Sequence, residues 1–412
     1  MVPGPKVLVA ATGCKLNQAE ADLWKAWFVQ NGYELAEDAR QEASVKVCLV
    51  TTCTVTGRAD RSSVALIRRL HRRYPDAKIK VTGCGATRIP ERMAALPGVT
   101  RIIGYEEKEN LIVPLRYGKD SCDVFVISRN RAFLRVGEGC ERRCSYCVVS
   151  RIRGPVRSKP KETILEELHA LHSEGFGEVV LVALNLGLWG QERGESLTLL
   201  LKRIEQEGRG VPRIRLTSLE PDTISDELLG VLATSSRFCP HLHIPLQSGD
   251  DRILEEMNRP YRTKEFSRLM NKVARMLPDA CIGTDIITST PGEDEESFAR
   301  TLEFVRGLPV NHLHVFTYSA RPGTPMANMS SKSLKAPRER TKLLRAEGER
   351  KSFEFRKRFQ GKVRQAVLLS PTRALTDNYI DVKIPPTSKP VRSLVNVKIT
   401  EVTPEGTIGI VK

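Results

Sequence analysis

Cys140, Cys144 and Cys147 set three thiols within eight residues, in the spacing C-x3-C-x2-C. No other feature restricts the fold as much, because the loop that carries them either closes around something thiolates bind or buries three unligated core cysteines. Thiolates hold zinc and iron–sulfur clusters. A structural zinc site needs a fourth donor, usually from a second Cys or His pair, and none lies nearby in the sequence. A four-iron cluster held by three thiolates keeps one iron open. An open iron can chelate the amino and carboxylate groups of S-adenosylmethionine, and an electron from the cluster can then cleave the sulfonium to a carbon radical. Tyr146, between two of these cysteines, either shields the cluster, touches the adenine or packs its own loop.

The chain has seven further cysteines. Cys14, Cys53 and Cys84 each sit in a Gly/Thr-rich turn: Thr12-Gly13-Cys14, Thr51-Thr52-Cys53 and Thr82-Gly83-Cys84. Small residues there let the backbone approach an inorganic cluster closely. Each turn follows a short strand pattern (Val7 to Ala10 and Val45 to Val50, both apolar, and Lys78 to Thr82), and helical patterns at about 18–31 and 58–74 separate them. Strands alternating with helices predict a parallel sheet, whose ligand sites lie beyond the carboxyl ends of the strands. The three cysteines are therefore expected to converge on one sheet edge. Cys48, Cys122, Cys239 and Cys281 lack such settings and read as core residues.

A second α/β series follows. Strands are expected at Phe133–Val136, Val179–Ala183, Arg213–Thr217, His241–Pro245, Ile282–Ile287 and His314–Tyr318. Helices fall between them, for example at 162–173 and 263–276. Six strands in this length suit a partial (β/α)6 barrel better than a complete eight-unit one. Asn185, Ser218, Glu220, Gln247 and Asp285 lie at expected strand ends, where barrel active sites are built, and are candidates for the cofactor pocket. Each could instead cap a helix or satisfy a loop. From about residue 361 the pattern changes to short strands with turns, at 363–369, 379–384, 394–399 and 407–411, a small antiparallel, OB-like β-barrel. The expected domains are 1–125, 126–330, a basic helical linker 331–360, and 361–412. Phe353, Phe355 and Phe359 are expected to anchor the linker.

The net charge is +16, from 65 basic and 49 acidic residues, which favours a polyanionic partner such as nucleic acid. Residues 129–161 hold ten Arg/Lys opposed by Glu138 and Glu141. That density suits a polyanionic substrate or stabilisation of cluster and carboxylate charge. Residues 361–412 carry eight basic and four acidic side chains, a net of +4. There is no long apolar run of about 18 residues and no signal-peptide pattern, so a cytoplasmic, non-membrane protein is expected. In that compartment the cysteines are thiols rather than disulfides.

These motifs together resemble the methylthiotransferases, radical enzymes that insert sulfur into an unactivated C–H bond and methylate it. The resemblance runs nearly the whole length. Gly13-Cys14-Lys15-Leu16-Asn17-Gln18, Thr52-Cys53-Thr54-Val55-Thr56 and Thr82-Gly83-Cys84 are similar to the family's N-terminal auxiliary-cluster domain. Gly139 to Cys147 and Arg153 to Ser158 are similar to its radical core, as are His243 to Asp250, Met257-Asn258-Arg259, Gly283-Thr284-Asp285, Pro291-Gly292-Glu293 and Tyr318 to Pro325. The tail resembles a TRAM domain, an RNA-binding β-barrel. Departures from the family pattern fall at Thr51, Glu141–Arg143, Ser150, Val182–Asn185 and Ile287–Thr290.

The resemblance implies two [4Fe–4S] clusters, one on Cys140, Cys144 and Cys147 and one on Cys14, Cys53 and Cys84, with S-adenosylmethionine as cofactor. It is strongest to the MtaB branch, which converts N6-threonylcarbamoyladenosine next to the tRNA anticodon to its 2-methylthio derivative. The implied partners are the tRNA anticodon stem-loop and a reducing donor such as a flavodoxin or ferredoxin, and the chain is expected to be a monomer. Isopentenyladenosine in tRNA, an aspartate of a ribosomal protein, and a diverged non-catalytic iron–sulfur RNA-binding module are the alternative readings.

Overall fold

The computed structural model describes residues 4–36, 45–112, 127, 129–329 and 337–412. Cys122 and the expected boundaries near 125 and 330 lie outside the described residues. No described helix is long and apolar enough to cross a membrane.

The N-terminal region is a five-stranded sheet of β1 (Lys6–Ala11), β2 (Glu34–Leu35), β3 (Val45–Thr52), β4 (Lys78–Gly83) and β5 (Val99–Ile102). Its order is β2-β1-β3-β4-β5 and every pairing is parallel. The helix Gly57–Arg73 forms because Thr56 caps it, its hydroxyl accepting from Ala59 N at 3.1 Å, and because Val64, Ile67 and Leu70 recur on one face and are buried. The helix Lys15–Gln30 starts directly after Cys14 and stops at Asn31, where Gly32 turns the chain with φ +80°.

All six expected core strands are present, with shifts of one or two residues at their ends. They are β6 (Ala132–Arg135), β9 (Glu178–Val182), β10 (Arg213–Leu216), β11 (His241–His243), β12 (Cys281–Thr288) and β13 (His312–Thr317), with a short antiparallel pair β7 (Gly137–Glu138) and β8 (Arg157–Ser158). The six run parallel in two three-stranded sheets, β6-β9-β10 and β11-β12-β13. A lone parallel bridge between Ile214 and Phe238 lies just before β11, and Leu219 N donates to His243 O at 2.9 Å. The result is an open barrel. Val179 and Leu181 of β9 point outward into the main core, whereas Val180 and Val182 point inward and pack on Leu16 of the N-terminal helix. Alternation along a strand separates the two faces.

Residues 361–412 form a closed five-stranded barrel, β14 (Val363–Ser370), β15 (Arg373–Thr376), β16 (Asp381–Lys383), β17 (Leu394–Thr403) and β18 (Gly406–Val411), in the order β14-β15-β16-β18-β17. The sequence reading lacked β15, which spans only four residues after the Pro371-Thr372 turn and is too short to show an alternating pattern. The small barrel caps the base of the larger one. Arg213 donates to the carbonyls of Gln365 and Leu375, and Arg215 to those of Thr376 and Asp377. Both guanidiniums are fully buried and share Glu178. The helix Pro337–Lys357 lies along β13, where a Cβ on Gly348 would come within 2.9 Å of Leu313 Cβ. Its Phe355, together with Phe359 just beyond, enters the core of the small barrel, and Phe353 is half-buried.

Candidate active site

Cys140, Cys144 and Cys147 lie on the loop between β7 and the short helix Val149–Arg153. Cys140 N donates to Gly154 O at 3.0 Å and Cys147 N to Cys144 O at 3.1 Å. The loop is pinned from a distance. Ser145 N donates to Met257 O, Met326 N to Ser145 O, and Asn258 Nδ2 to Arg143 O at 2.9 Å. Asn258 does this with a positive φ of 56°. A cavity of about 800 Å3 opens on the three cysteines, lined also by Arg142, Arg143, Ser150, Arg151 and Asn258.

Cys14, Cys53 and Cys84 converge at the carboxyl edge of the N-terminal sheet, as expected from their turns. The glycines that precede Cys14, Cys84 and Cys140 have φ of +91°, +90° and +77°. A Cβ on Gly13 would come within 2.6 Å of Cys53 Sγ, and one on Gly83 within 2.6 Å of Thr52 O. Only glycine fits these left-handed positions beside a neighbouring thiol or carbonyl. Cys84 and Cys147 share an apolar cluster with Val148 and Val149, so the two trios are neighbours.

Each trio contains a sulfur contacted by a buried guanidinium. Arg153 Nε donates to Cys84 Sγ at 3.0 Å, and Arg259 Nη1 to Cys144 Sγ at 3.2 Å. Arg259 also pairs with Glu220. Burial pushes the Cys53 and Cys140 thiols up to about 11 and raises Cys84 and Cys147 as well. Arg153 opposes that rise at Cys53 and Cys84. Three converging thiols, glycine cradles and an adjacent fixed cation fit an anionic thiolate-ligated cluster at each trio. Cys48, Cys239 and Cys281 are buried in cores away from both trios.

The cofactor-pocket candidates divide into groups. Glu220 lies by Cys144 through Arg259. Tyr146 packs among Ile253, Met257, Met326, Ile287 and Tyr318. Asn185 follows β9 and is buried, and neither its amide oxygen nor its amide nitrogen is hydrogen-bonded among the described residues. Gln247 and Asp285 are joined by backbone: Gln247 N donates to Asp285 O at 2.8 Å, with Gln247 at φ +74°. Ser218 is half-buried after β10. None of Asn185, Ser218, Gln247 and Asp285 lines the cavity at the Cys140–Cys147 loop.

Sequence reasoning missed Arg153 and Arg259 as sulfur partners. They lie 69 and 115 residues from the cysteines they touch, and no spacing signals such a contact. It also overstated the free positive charge of 129–161. Arg135 pairs with Glu109 and Glu138, Arg153 with Glu20 and Glu138, Lys159 with Glu167 and Arg131 with Glu178. The basic helix behaves likewise. Arg340 is buried against Glu293, Lys351 donates to the carbonyls of Arg306 and Leu308, and Arg356 to those of Thr403 and Gly406.

An open parallel barrel with a three-cysteine loop at its mouth, joined to a parallel sheet with a second cysteine trio, is the architecture of a radical S-adenosylmethionine enzyme. The Radical SAM superfamily model matches residues 134–305, and the model described as uncharacterized protein family UPF0004 matches 6–104. The threonylcarbamoyladenosine tRNA methylthiotransferase MtaB of Aquifex aeolicus is 36% identical, covering 92% of this chain and 96% of its own length. The Bacillus subtilis protein of the same name is 32% identical over 94% and 92%. The ribosomal protein uS12 methylthiotransferase RimO of Protochlamydia amoebophila is 30% identical over 78% and 71%. Among solved structures, the radical S-adenosylmethionine methyltransferase TsrM of Kitasatospora setae superposes with a TM-score of 0.60 at 15% identity, covering 79% of this chain and 77% of that one, a likeness of fold. The chain belongs to the methylthiotransferase family of radical S-adenosylmethionine enzymes, whose cofactors are S-adenosylmethionine and [4Fe–4S] clusters.

Proposed function

We propose that this enzyme converts N6-threonylcarbamoyladenosine in tRNA to its 2-methylthio derivative, and that its two cysteine trios hold the two clusters. The observation that carries the reading is the near full-length similarity to relatives named for that reaction, on a chain in which both trios are intact and converge. When bound, the Cys140/Cys144/Cys147 cluster supplies reductive cleavage of S-adenosylmethionine and the Cys14/Cys53/Cys84 cluster supplies sulfur. Arg259 and Arg153 hold fixed positive charge at Cys144 and Cys84, where each lowers the cost of a buried anionic centre. Asn185, Ser218, Glu220, Gln247 and Asp285 are assigned to orient S-adenosylmethionine, and Tyr146 to exclude water beside the loop.

The reading divides the chain into 1–125 for the auxiliary cluster, 126–330 for the radical core, 331–360 as a basic helix and 361–412 for RNA. Exposed Arg143 at the cavity mouth, with Lys383, Lys389 and Lys412 on the small barrel, are cations left for tRNA phosphates. The electron donor is a flavodoxin or ferredoxin, and the enzyme acts as a cytoplasmic monomer.

The test is expression of this chain in a bacterium lacking its own enzyme of this type, followed by nucleoside mass spectrometry of total tRNA. The mass of one methylthio group is expected on N6-threonylcarbamoyladenosine. Its appearance on isopentenyladenosine alone would overturn the substrate.

A further inference from the structure

The inner face of β11, β12 and β13 carries imidazoles around a single carboxylate. Strand register sets Gly283 between His243 and His312, Asp285 beside His314 and Ile287 beside Phe316. His243 Nε2 lies 3.0 Å from Asp285 Oδ1. The rings of His243 and His314 meet edge to face at 5.2 Å, and those of His312 and His314 at 4.8 Å. Gly283 leaves room for this, because a Cβ there would press on His243 Nδ1 at 3.0 Å. The opposite face, with Ile282, Ile286 and Val315, is closed into the main core. The inner face is open. Asp285's side chain is 24% exposed, Phe316 is 43% exposed, and His314 is exposed as well.

Lys15 enters the same space from the N-terminal domain. Leu16, the next residue, is seated on the inward Val180 and Val182 of β9. The Lys15 charge acts on His241, His312, His314 and Asp285 across the barrel interior. Lys15 makes no hydrogen bond or ion pair among the described residues. The buried Nδ1 of His241 also lacks a partner. Asp285 is engaged by His243 at 3.0 Å, so the Lys15 ammonium, which acts on Asp285 without bonding it, keeps its N–H donors for a ligand. Burial and the neighbouring imidazoles hold His312 down at about 4 and His314 below its ordinary value, so both present neutral rings that can donate N–H bonds.

An ammonium with no bonding partner among the described residues, near neutral N–H donors and one residue from an auxiliary-trio cysteine, suits a carboxylate. The threonylcarbamoyl group brings one, on the modified base. We propose that Lys15, with the imidazoles of His312 and His314, is the specificity subsite that takes the substrate's threonyl carboxylate. This rests on the substrate reading above and deepens it. The subsite would reject an adenosine whose N6 substituent is purely apolar, because that substituent would cover the ammonium and the ring donors without pairing them.

The test is anaerobic binding of reconstituted full-length protein, without S-adenosylmethionine, to three anticodon stem-loop RNAs. They carry N6-threonylcarbamoyladenosine, its methyl ester, or plain adenosine next to the anticodon. The wild type is expected to prefer the acid over both others by roughly 10- to 100-fold. Lys15→Met should erase that preference and leave the other two affinities in place, while Lys15→Arg keeps most of it. His314→Phe, far in sequence from any cluster cysteine, should weaken the preference too, and it serves if Lys15→Met lowers iron content. Equal losses on all three RNAs would assign Lys15 to a phosphate and overturn the subsite. A wild type that prefers acid and ester equally over adenosine would also overturn it, with the substrate reading intact. No preference among the three would overturn the substrate reading itself.

Discussion

Arg153 Nε donates to Cys84 Sγ at 3.0 Å, and this contact ties the helix after the Cys140–Cys147 loop to the third cysteine of the N-terminal sheet. The same guanidinium bonds Glu20 and Glu138 at 2.7 Å and Asn17 Oδ1 at 2.7 Å, all fully buried. Replacing Arg153 with Met removes the shared cation of two buried carboxylates, leaving Glu20 to Lys108 and Arg135 and Glu138 to Arg135, at a cost of about 3 kcal/mol. Urea unfolding under argon should show that loss. Arg153→Lys should recover only part of it, because one ammonium cannot reach all four partners.

The buried carboxylates make the protein acid-sensitive. Burial by itself would raise Glu20 and Glu178, but Arg153, Lys108 and Arg135 at Glu20, and Arg215, Arg213 and Arg131 at Glu178, hold both far below the ordinary 4.5. A folded-state value below the unfolded one means the unfolded chain binds the proton first. The stabilisation is therefore complete above pH 4.5 and drains away as pH falls below it, by up to about 1.4 kcal/mol per pH unit for each group. Unfolding midpoints followed from pH 7 to pH 3 should be flat and then fall. Glu178→Gln should shift the whole curve down and flatten its acid limb.

Iron content separates the cysteines. Cys53→Ala or Cys144→Ala should take reconstituted protein from roughly eight iron atoms per chain to roughly four. Cys48→Ala, Cys239→Ala and Cys281→Ala, at buried core positions, should keep the full complement and lose only about 1–2 kcal/mol of stability. Loss of iron in any of these three would contradict the assignment.

Positive charge divides between RNA and the fold. Lys383→Glu and Lys389→Glu, on the exposed side of the small barrel, should weaken tRNA binding and reduce the slope of log affinity against log salt by about 1 for each phosphate contact removed. Arg340→Ala should leave that slope unchanged and destabilise the fold, because it abandons the buried Glu293.

Much of this was legible in the chain. Six core strands follow from short β-patterned segments alternating with helical ones, and the convergence of Cys14, Cys53 and Cys84 follows from their place after three parallel strands. The three positive-φ glycines were visible as Gly-Cys pairs. The Arg153–Cys84 and Arg259–Cys144 contacts were not, since they join segments that only the tertiary fold brings together. For the same reason the basic residues of 129–161 and of the helix Pro337–Lys357 could not be sorted into free charges and buried ion pairs. Sign and count are read from sequence, whereas the burial that decides their use is not. β15 escaped because four residues carry too little pattern.

The most direct test of the central claim is product analysis of reconstituted enzyme with reductant, S-adenosylmethionine and tRNA bearing N6-threonylcarbamoyladenosine, comparing wild type with Cys144→Ala and Cys53→Ala. Wild type should give 5′-deoxyadenosine and the methylthio nucleoside, Cys144→Ala neither, and Cys53→Ala deoxyadenosine without methylthiolation. Methylthio product from either variant, or none from a wild type that forms deoxyadenosine on this tRNA, would contradict the account.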